Sequence, residues 1–222
     1  LESNGQHARA EWFGVACCPG NITRFMASVP GYIYGTRGND VYVNLYAGGT
    51  ADISTPGGTL EVVQVTRYPW DGAVKMTLTP ERARRFAVNV RIPGWARNEA
   101  VPSDLYRFMD KNTAQPTIKV NGAVVPMTIS KGYVTMNREW KAGDVIDLSL
   151  PMPVRRVVAH PSVAADRDRV ALQRGPIVFA AEWVDNPNGK TRNIVLPDTS
   201  TLTTDFKPDL LNGVQVITGR AF

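Results

Sequence analysis

In residues 85–92 large apolar side chains occupy every second position, so that Phe86, Val88, Val90 and Ile92 alternate with Arg85, Ala87, Asn89 and Arg91. A period of two places the first set on one side of an extended strand and the second set on the other. A helix would scatter the same residues around its circumference. The expectation is a strand with one buried face and one wet face. Runs rich in Val, Ile, Thr and Tyr at 41–46, 59–68, 73–79, 117–120, 133–136, 145–150 and 170–179 read as further strands. The 19 glycines and 16 prolines, more than average usage supplies, fall mostly between these runs. Asn121-Gly122 is a pair that takes positive φ readily in a two-residue hairpin, and Gly57-Gly58 and residues 141–144 mark further reversals. Short strands at such spacing with few helices predict a mainly β chain built of antiparallel β-sandwich domains.

Two segments depart from the pattern. Pro19 sits where a first helical residue is tolerated, and Ile22, Phe25, Met26 and Val29 follow at helical spacing. This predicts one amphipathic helix beginning after Cys18, with Cys18 as its N-cap and Cys17 outside it, broken or kinked at Pro30-Gly31. Its apolar stripe requires a partner. Residues 98–116 show no clean period and read as a long inserted loop with a helical turn near 105–109. A change of composition over 154–168 suggests that a second sandwich begins there.

With 43% apolar and 20% charged residues, the chain has the composition of a protein that buries a core. No apolar run approaches the roughly 20 residues of a membrane span, and the opening residues are too polar for a signal peptide. The excess of 25 Lys and Arg over 20 Asp and Glu is dispersed, with Arg82, Arg84 and Arg85 beside Glu81 and with Arg167 and Arg169 alternating with Asp166 and Asp168. A nucleic-acid partner calls for a basic stripe or groove-entering helix, and neither is visible. The chain starts at Leu1 and reaches chemistry-bearing sequence within twenty residues, which suggests a segment of something longer.

The two cysteines are adjacent, Cys17-Cys18, and consecutive Cα atoms lie closer than an ordinary disulfide spans. Buried free thiols, metal ligation and catalysis all remain open on the residues alone. A helix N-terminus favours thiolate, the form that attacks electrophiles and binds metals. A zinc site needs three or four ligands, and the chain's other sulfur or imidazole donors are only His7 and His160, each at a position that reads as surface or turn. Trp70, Trp95 and Trp140 with Tyr68 offer either a platform for sugar rings or core filling, and core filling is the commoner fate. Arg91, Arg155 and Arg156 offer a clamp for an acidic sugar, although strand-flanking arginines usually face solvent.

The run WFGVACCPGNITRFMASVPGYIYGT, followed by VYVNLYAGGTA, resembles the end of the catalytic barrel in the zinc-dependent β-L-arabinofuranosidase family of glycoside hydrolases, formerly a domain of unknown function. YPWDGAVKMTL, VRIPGWA, IKVNG, GDVIDLSLPMPVRRV and RVALQRGPIVFAAEW resemble the same family's middle and C-terminal sandwiches, so the likeness covers nearly the whole chain. The specific element is Cys17, Cys18, Pro19, Asn21 and Arg24.

The resemblance implies that residues 1–35 are the C-terminal end of a catalytic (α/α) barrel otherwise absent here, 36–155 a middle β-sandwich, and 156–222 part of a C-terminal one. It implies Cys17 as nucleophile and zinc ligand and Cys18 as zinc ligand. The Zn2+ site and the acid/base Glu are completed by the upstream barrel domain. The implied reaction is retaining cleavage of β-L-arabinofuranosyl linkages in a plant-derived, arabinose-containing oligosaccharide or glycan. It corresponds to the two-carboxylate scheme with a thiolate replacing one carboxylate. A bacterial protein, periplasmic or extracellular rather than cytoplasmic, is the accompanying expectation, and this segment alone is expected to be inactive. The alternative is a noncatalytic carbohydrate-binding or scaffolding β-sandwich whose cysteine pair is merely buried.

Overall fold

The computed structural model describes residues 17–182 and 191–222. Helix α1 runs over Cys17–Ser28 and a one-turn helix α2 over Pro30–Ile33. Strands follow as β1 (Tyr34–Arg37), β2 (Asp40–Val43), β3 (Gly49–Thr55), β4 (Gly58–Thr66), β5 (Ala73–Pro80) and β6 (Arg84–Arg91). Next come β7 (Tyr106–Phe108), β8 (Thr117–Val120), β9 (Ala123–Val125), β10 (Ile129–Ser130), β11 (Tyr133–Trp140) and β12 (Asp144–Ser149). The last are β13 (Val154–Ala159), β14 (Ala171–Arg174), β15 (Ile177–Phe179), β16 (Leu202–Lys207) and β17 (Val214–Gly219). The described chain is mainly β with few helices, as the alternating runs predict. It divides into two compact units, of which Ser28–Ile177 is the larger.

In the larger unit one sheet has the order β1-β2-β6-β11-β10 and another the order β3-β4-β5-β12-β8-β9. Their inner faces share one core, to which the first contributes Val41, Val88, Val90 and Val134 and the second Leu60, Val62, Met76, Ile118 and Ile146. One pairing departs from the antiparallel expectation, because β2 runs parallel to β6 with Val41 opposite Val88. Between them the chain leaves the first sheet, builds β3, β4 and β5 in the second, and returns, and such a crossover is what parallel neighbours require.

The wet face expected for β6 is also partly wrong. Ala87 and Asn89 point away from the core yet are buried, because β6 is central and the side chains of β2 and β11 cover these short residues. Asn89 is satisfied there, donating from Nδ2 to the Val41 carbonyl at 3.2 Å and accepting from the Thr135 hydroxyl at 2.7 Å.

Three local expectations meet different structure. The proposed inserted loop at 98–116 contains β7 in place of a helical turn, paired with β13 through Phe108 opposite Val157. Only three residues alternate there, too few for a period to stand out, and the partner strand is distant in sequence. A third sheet thus has β13 at its centre, antiparallel to β7 and β14. The run at 170–179 is two strands, because Gly175 adopts φ +58° and a Cβ there would lie 2.8 Å from the Met152 sulfur. In the smaller unit β16 and β17 form an antiparallel pair that the sequence reading missed.

The turns at 121–122 and 141–144 are found as expected, with Asn121 at φ 51° and Gly122 at φ 82°. They are tied together by Asp144, whose carboxylate accepts from Asn121 Nδ2 at 2.8 Å and from the Lys141 backbone N–H at 2.9 Å. Partial burial pushes the Asp144 pKa up, but these hydrogen bonds and the nearby Arg138 and Lys141 charges outweigh it and hold the group below the usual carboxylate range. A depressed folded-state pKa stabilises the fold above the unfolded value of about 3.9 and loses that contribution as pH falls through the folded value. Asp144→Ala should therefore cost about 1 kcal/mol at pH 7 and progressively less below pH 4, measured by urea unfolding. An equal cost at pH 7 and pH 2.5 would show that the carboxylate charge contributes nothing.

Candidate functional site

Helix α1 holds both cysteines. The expectation that Cys18 caps the helix with Cys17 outside is corrected, since both residues are already helical. Pro19 lies within the helix as well. Within α1 the Thr23 hydroxyl donates to the Pro19 carbonyl at 2.8 Å, and Arg24 donates from Nη2 to Asn21 Oδ1. Both thiols are exposed and free, with Sγ atoms 3.8 Å apart. The apolar stripe of the helix is also open, with Ile22, Phe25 and Met26 at 60%, 59% and 61% exposure. Neither thiol is buried among the described residues.

No group of three or more His, Cys, Asp or Glu side chains is placed to hold a metal ion among the described residues. His160 belongs to a turn, where its Nδ1 accepts from the Ser162 N–H at 3.2 Å and its own N–H bonds the Leu105 carbonyl at 2.7 Å. His7 lies outside the described residues. No described helix is long and apolar enough to cross a membrane.

The aromatic candidates do not gather into a platform. Trp140 is fully buried and donates its indole N–H to the Phe86 carbonyl at 3.1 Å. Trp95 and Tyr68 pack against the same core, and Tyr68 meets Tyr46 edge-on at 5.5 Å. Trp70 sits in the turn before β5, where its carbonyl accepts from Arg174 Nη1 at 2.6 Å. Burial pushes the Tyr46 phenol well up, and its hydroxyl donates to the Arg91 carbonyl.

The three arginines behave differently from one another. Arg91 is exposed, Arg156 is half-buried, and Arg155, expected to face solvent, is only 4% exposed. Its guanidinium lies 3.5 Å from the centre of the Phe108 ring, donates from Nη2 to the Asp110 carbonyl and stands 3.5 Å from the Asp110 carboxylate. Burial lowers its pKa, and Asp110 opposes the shift. Sequence reasoning missed this cluster because Phe108 and Asp110 belong to the segment read as loop. It also missed Gln64, a buried amide that donates to the Tyr34 hydroxyl at 2.8 Å and to the Leu45 carbonyl at 3.3 Å. The available signals were Gln64 between Val63 and Val65, and the Arg155-Arg156 pair in an otherwise apolar β13.

Residues 40–152 match the family described as the β-L-arabinofuranosidase, GH127 middle domain, and residues 154–216 match the glycoside hydrolase family 127 C-terminal domain. The chain belongs to glycoside hydrolase family 127. It is 36% identical over 219 residues to a non-reducing end β-L-arabinofuranosidase of Bifidobacterium longum subsp. longum, a match covering 94% of this chain and 30% of that protein. Among solved structures, a GH127 β-arabinofuranosidase superposes with a TM-score of 0.92 at 40% identity, over 99% of this chain and 34% of its own. A GH127 β-L-arabinofuranosidase from Geobacillus stearothermophilus T6 gives a TM-score of 0.83 at 40% identity, over 97% and 32%. This GH127 chain therefore spans about a third of the length of the relatives it matches.

Proposed function

We propose that this GH127 chain is the C-terminal portion of a retaining β-L-arabinofuranosidase-like hydrolase, with Cys17 as nucleophile and zinc ligand and Cys18 as a second ligand. In this reading residues 1–35 complete an (α/α) barrel, 36–155 form the middle β-sandwich and 156–222 belong to the C-terminal one. The observation that carries it is the Sγ separation of 3.8 Å between two exposed thiols at the start of α1. Two sulfurs on one tetrahedral zinc, each about 2.3 Å from the metal, stand about 3.8 Å apart. The pair fits half of such a site, and the remaining ligands must come from outside the described residues.

Bound zinc would supply positive charge that keeps both sulfurs in the thiolate form. Cys17 Sγ then forms a bond to the anomeric carbon while the bond to the leaving oxygen breaks, and an acid from elsewhere in the protein gives that oxygen its proton. Water, losing a proton to the same group, displaces the sulfur and returns the thiolate. Two inversions at one carbon give net retention. The substrate class in this reading is a plant-derived glycan bearing terminal β-L-arabinofuranose, in line with the activity named for the Bifidobacterium relative.

The full-length protein should release L-arabinose from an aryl β-L-arabinofuranoside, and NMR of the first-formed sugar should show the β-anomer. The α-anomer, or no release, would overturn the assignment. The 222-residue chain by itself should give no turnover and only weak, substoichiometric zinc, since in this reading the acid and the remaining ligands come from the upstream barrel domain. Tight one-to-one zinc in a chain shown monomeric by light scattering would contradict this.

A further inference from the structure

The cysteine pair of α1 is equipped for a chemistry that the proposed reaction does not use. Cys17 and Cys18 are both exposed and free, their sulfurs stand 3.8 Å apart, and the chain has no other cysteine. No third His, Cys, Asp or Glu side chain joins them into a metal-holding group among the described residues. Zinc takes three or four protein ligands. An arsenic(III) centre that already carries one carbon group completes its three bonds with two sulfurs, which is the number of donors this pair brings together.

Geometry agrees with the count. A direct bond would draw the sulfurs to about 2.05 Å, and consecutive Cα atoms at about 3.8 Å lie closer than that bond ordinarily spans. An arsenic between the sulfurs removes the conflict, because they stay non-bonded. Arsenic–sulfur bonds are close in length to the roughly 2.3 Å of zinc–sulfur bonds, and a pyramidal centre has a slightly narrower angle than a tetrahedral one. The sulfurs then need approach each other by only a few tenths of an ångström, which rotation of two exposed side chains supplies. We propose that Cys17 and Cys18 form a bidentate site for a monosubstituted trivalent organoarsenical. In the step each S–H gives its proton to one of the two arsenic-bound hydroxyls, two water molecules leave and two As–S bonds form, with no change of oxidation state. Breaking one of those bonds leaves the other holding the arsenic beside the freed sulfur, so a dissolved monothiol competes against a high effective concentration. The proposal rests on the thiol pair alone. On the reading of the same sulfurs as zinc ligands, such a compound competes with zinc for both.

The test is mass spectrometry of the reduced, zinc-free 222-residue chain treated with phenylarsine oxide in the presence of excess 2-mercaptoethanol. One phenylarsenic per chain should be retained against the monothiol and removed by 2,3-dimercaptopropanol. Cys17→Ser and Cys18→Ser should each lower the apparent affinity under the same monothiol on the order of 100-fold or more. Both positions are exposed, so neither substitution disturbs the core. Affinity in native buffer should be no weaker than in concentrated urea, because the folded helix already holds the sulfurs within reach of one centre. No retained adduct, two arsenicals per chain, equal retention by either single variant, or markedly tighter binding in urea would overturn the proposal.

Discussion

Cys17→Ser in the full-length protein should reduce kcat by on the order of 10⁴-fold or more, with no recovery on adding zinc. A serine hydroxyl is not ionised near neutral pH and is a poorer zinc ligand than a thiolate, so both functions assigned to this position fail together. Cys18→Ser should lose metal affinity on the order of 100-fold but regain part of its turnover when zinc is supplied in excess, because the nucleophile is intact. Kinetics paired with measured zinc content separate the two variants. An arabinose-shaped, cysteine-directed electrophile adds a readout that a merely structural role would not move, since mass spectrometry of the peptide spanning Trp12 and Arg24 should place the label on Cys17. Label on Cys18 alone would exchange the two roles. Full activity of Cys17→Ser would remove the thiol from the chemistry altogether.

Trp140→Ala should destabilise the larger unit by about 3–5 kcal/mol. The indole is fully buried at the end of β11, lies 6.3 Å from the Phe86 ring and spends its N–H on the Phe86 carbonyl. Truncation opens a cavity in the core common to both sheets and removes that hydrogen bond. The Arg138 guanidinium, 5.2 Å from the indole centre, also loses its ring. Trp140→Phe keeps most of the volume and should recover more than half of the loss, as read from urea midpoints at constant m-value. A cost for Trp140→Ala below about 1 kcal/mol would fit a surface platform for sugar rings and contradict core filling.

The signal for the candidate site is local. Cys17, Cys18, Pro19, Asn21 and Arg24 lie within one helix, so their spacing survives folding, with Cys17 and Cys18 inside α1 and not at or before its cap. The separation of the two sulfurs was not readable, because it depends on side-chain torsions that spacing leaves free.

The same division runs through the fold. Alternation in 85–92, the Asn121-Gly122 turn and the reversal at 141–144 are properties of a few consecutive residues, and the chain alone determined that it is mainly β with these turns. Only the tertiary structure decided that β2 lies parallel to β6, that β7 leaves the apparent loop to join β13, and that Arg155 is buried on Phe108 beside Asp110, 45 residues away. Such pairings are chosen by which strands can cover one another once the core closes. A single strand carries the period of its own side chains but nothing that names its neighbour or the direction in which that neighbour runs.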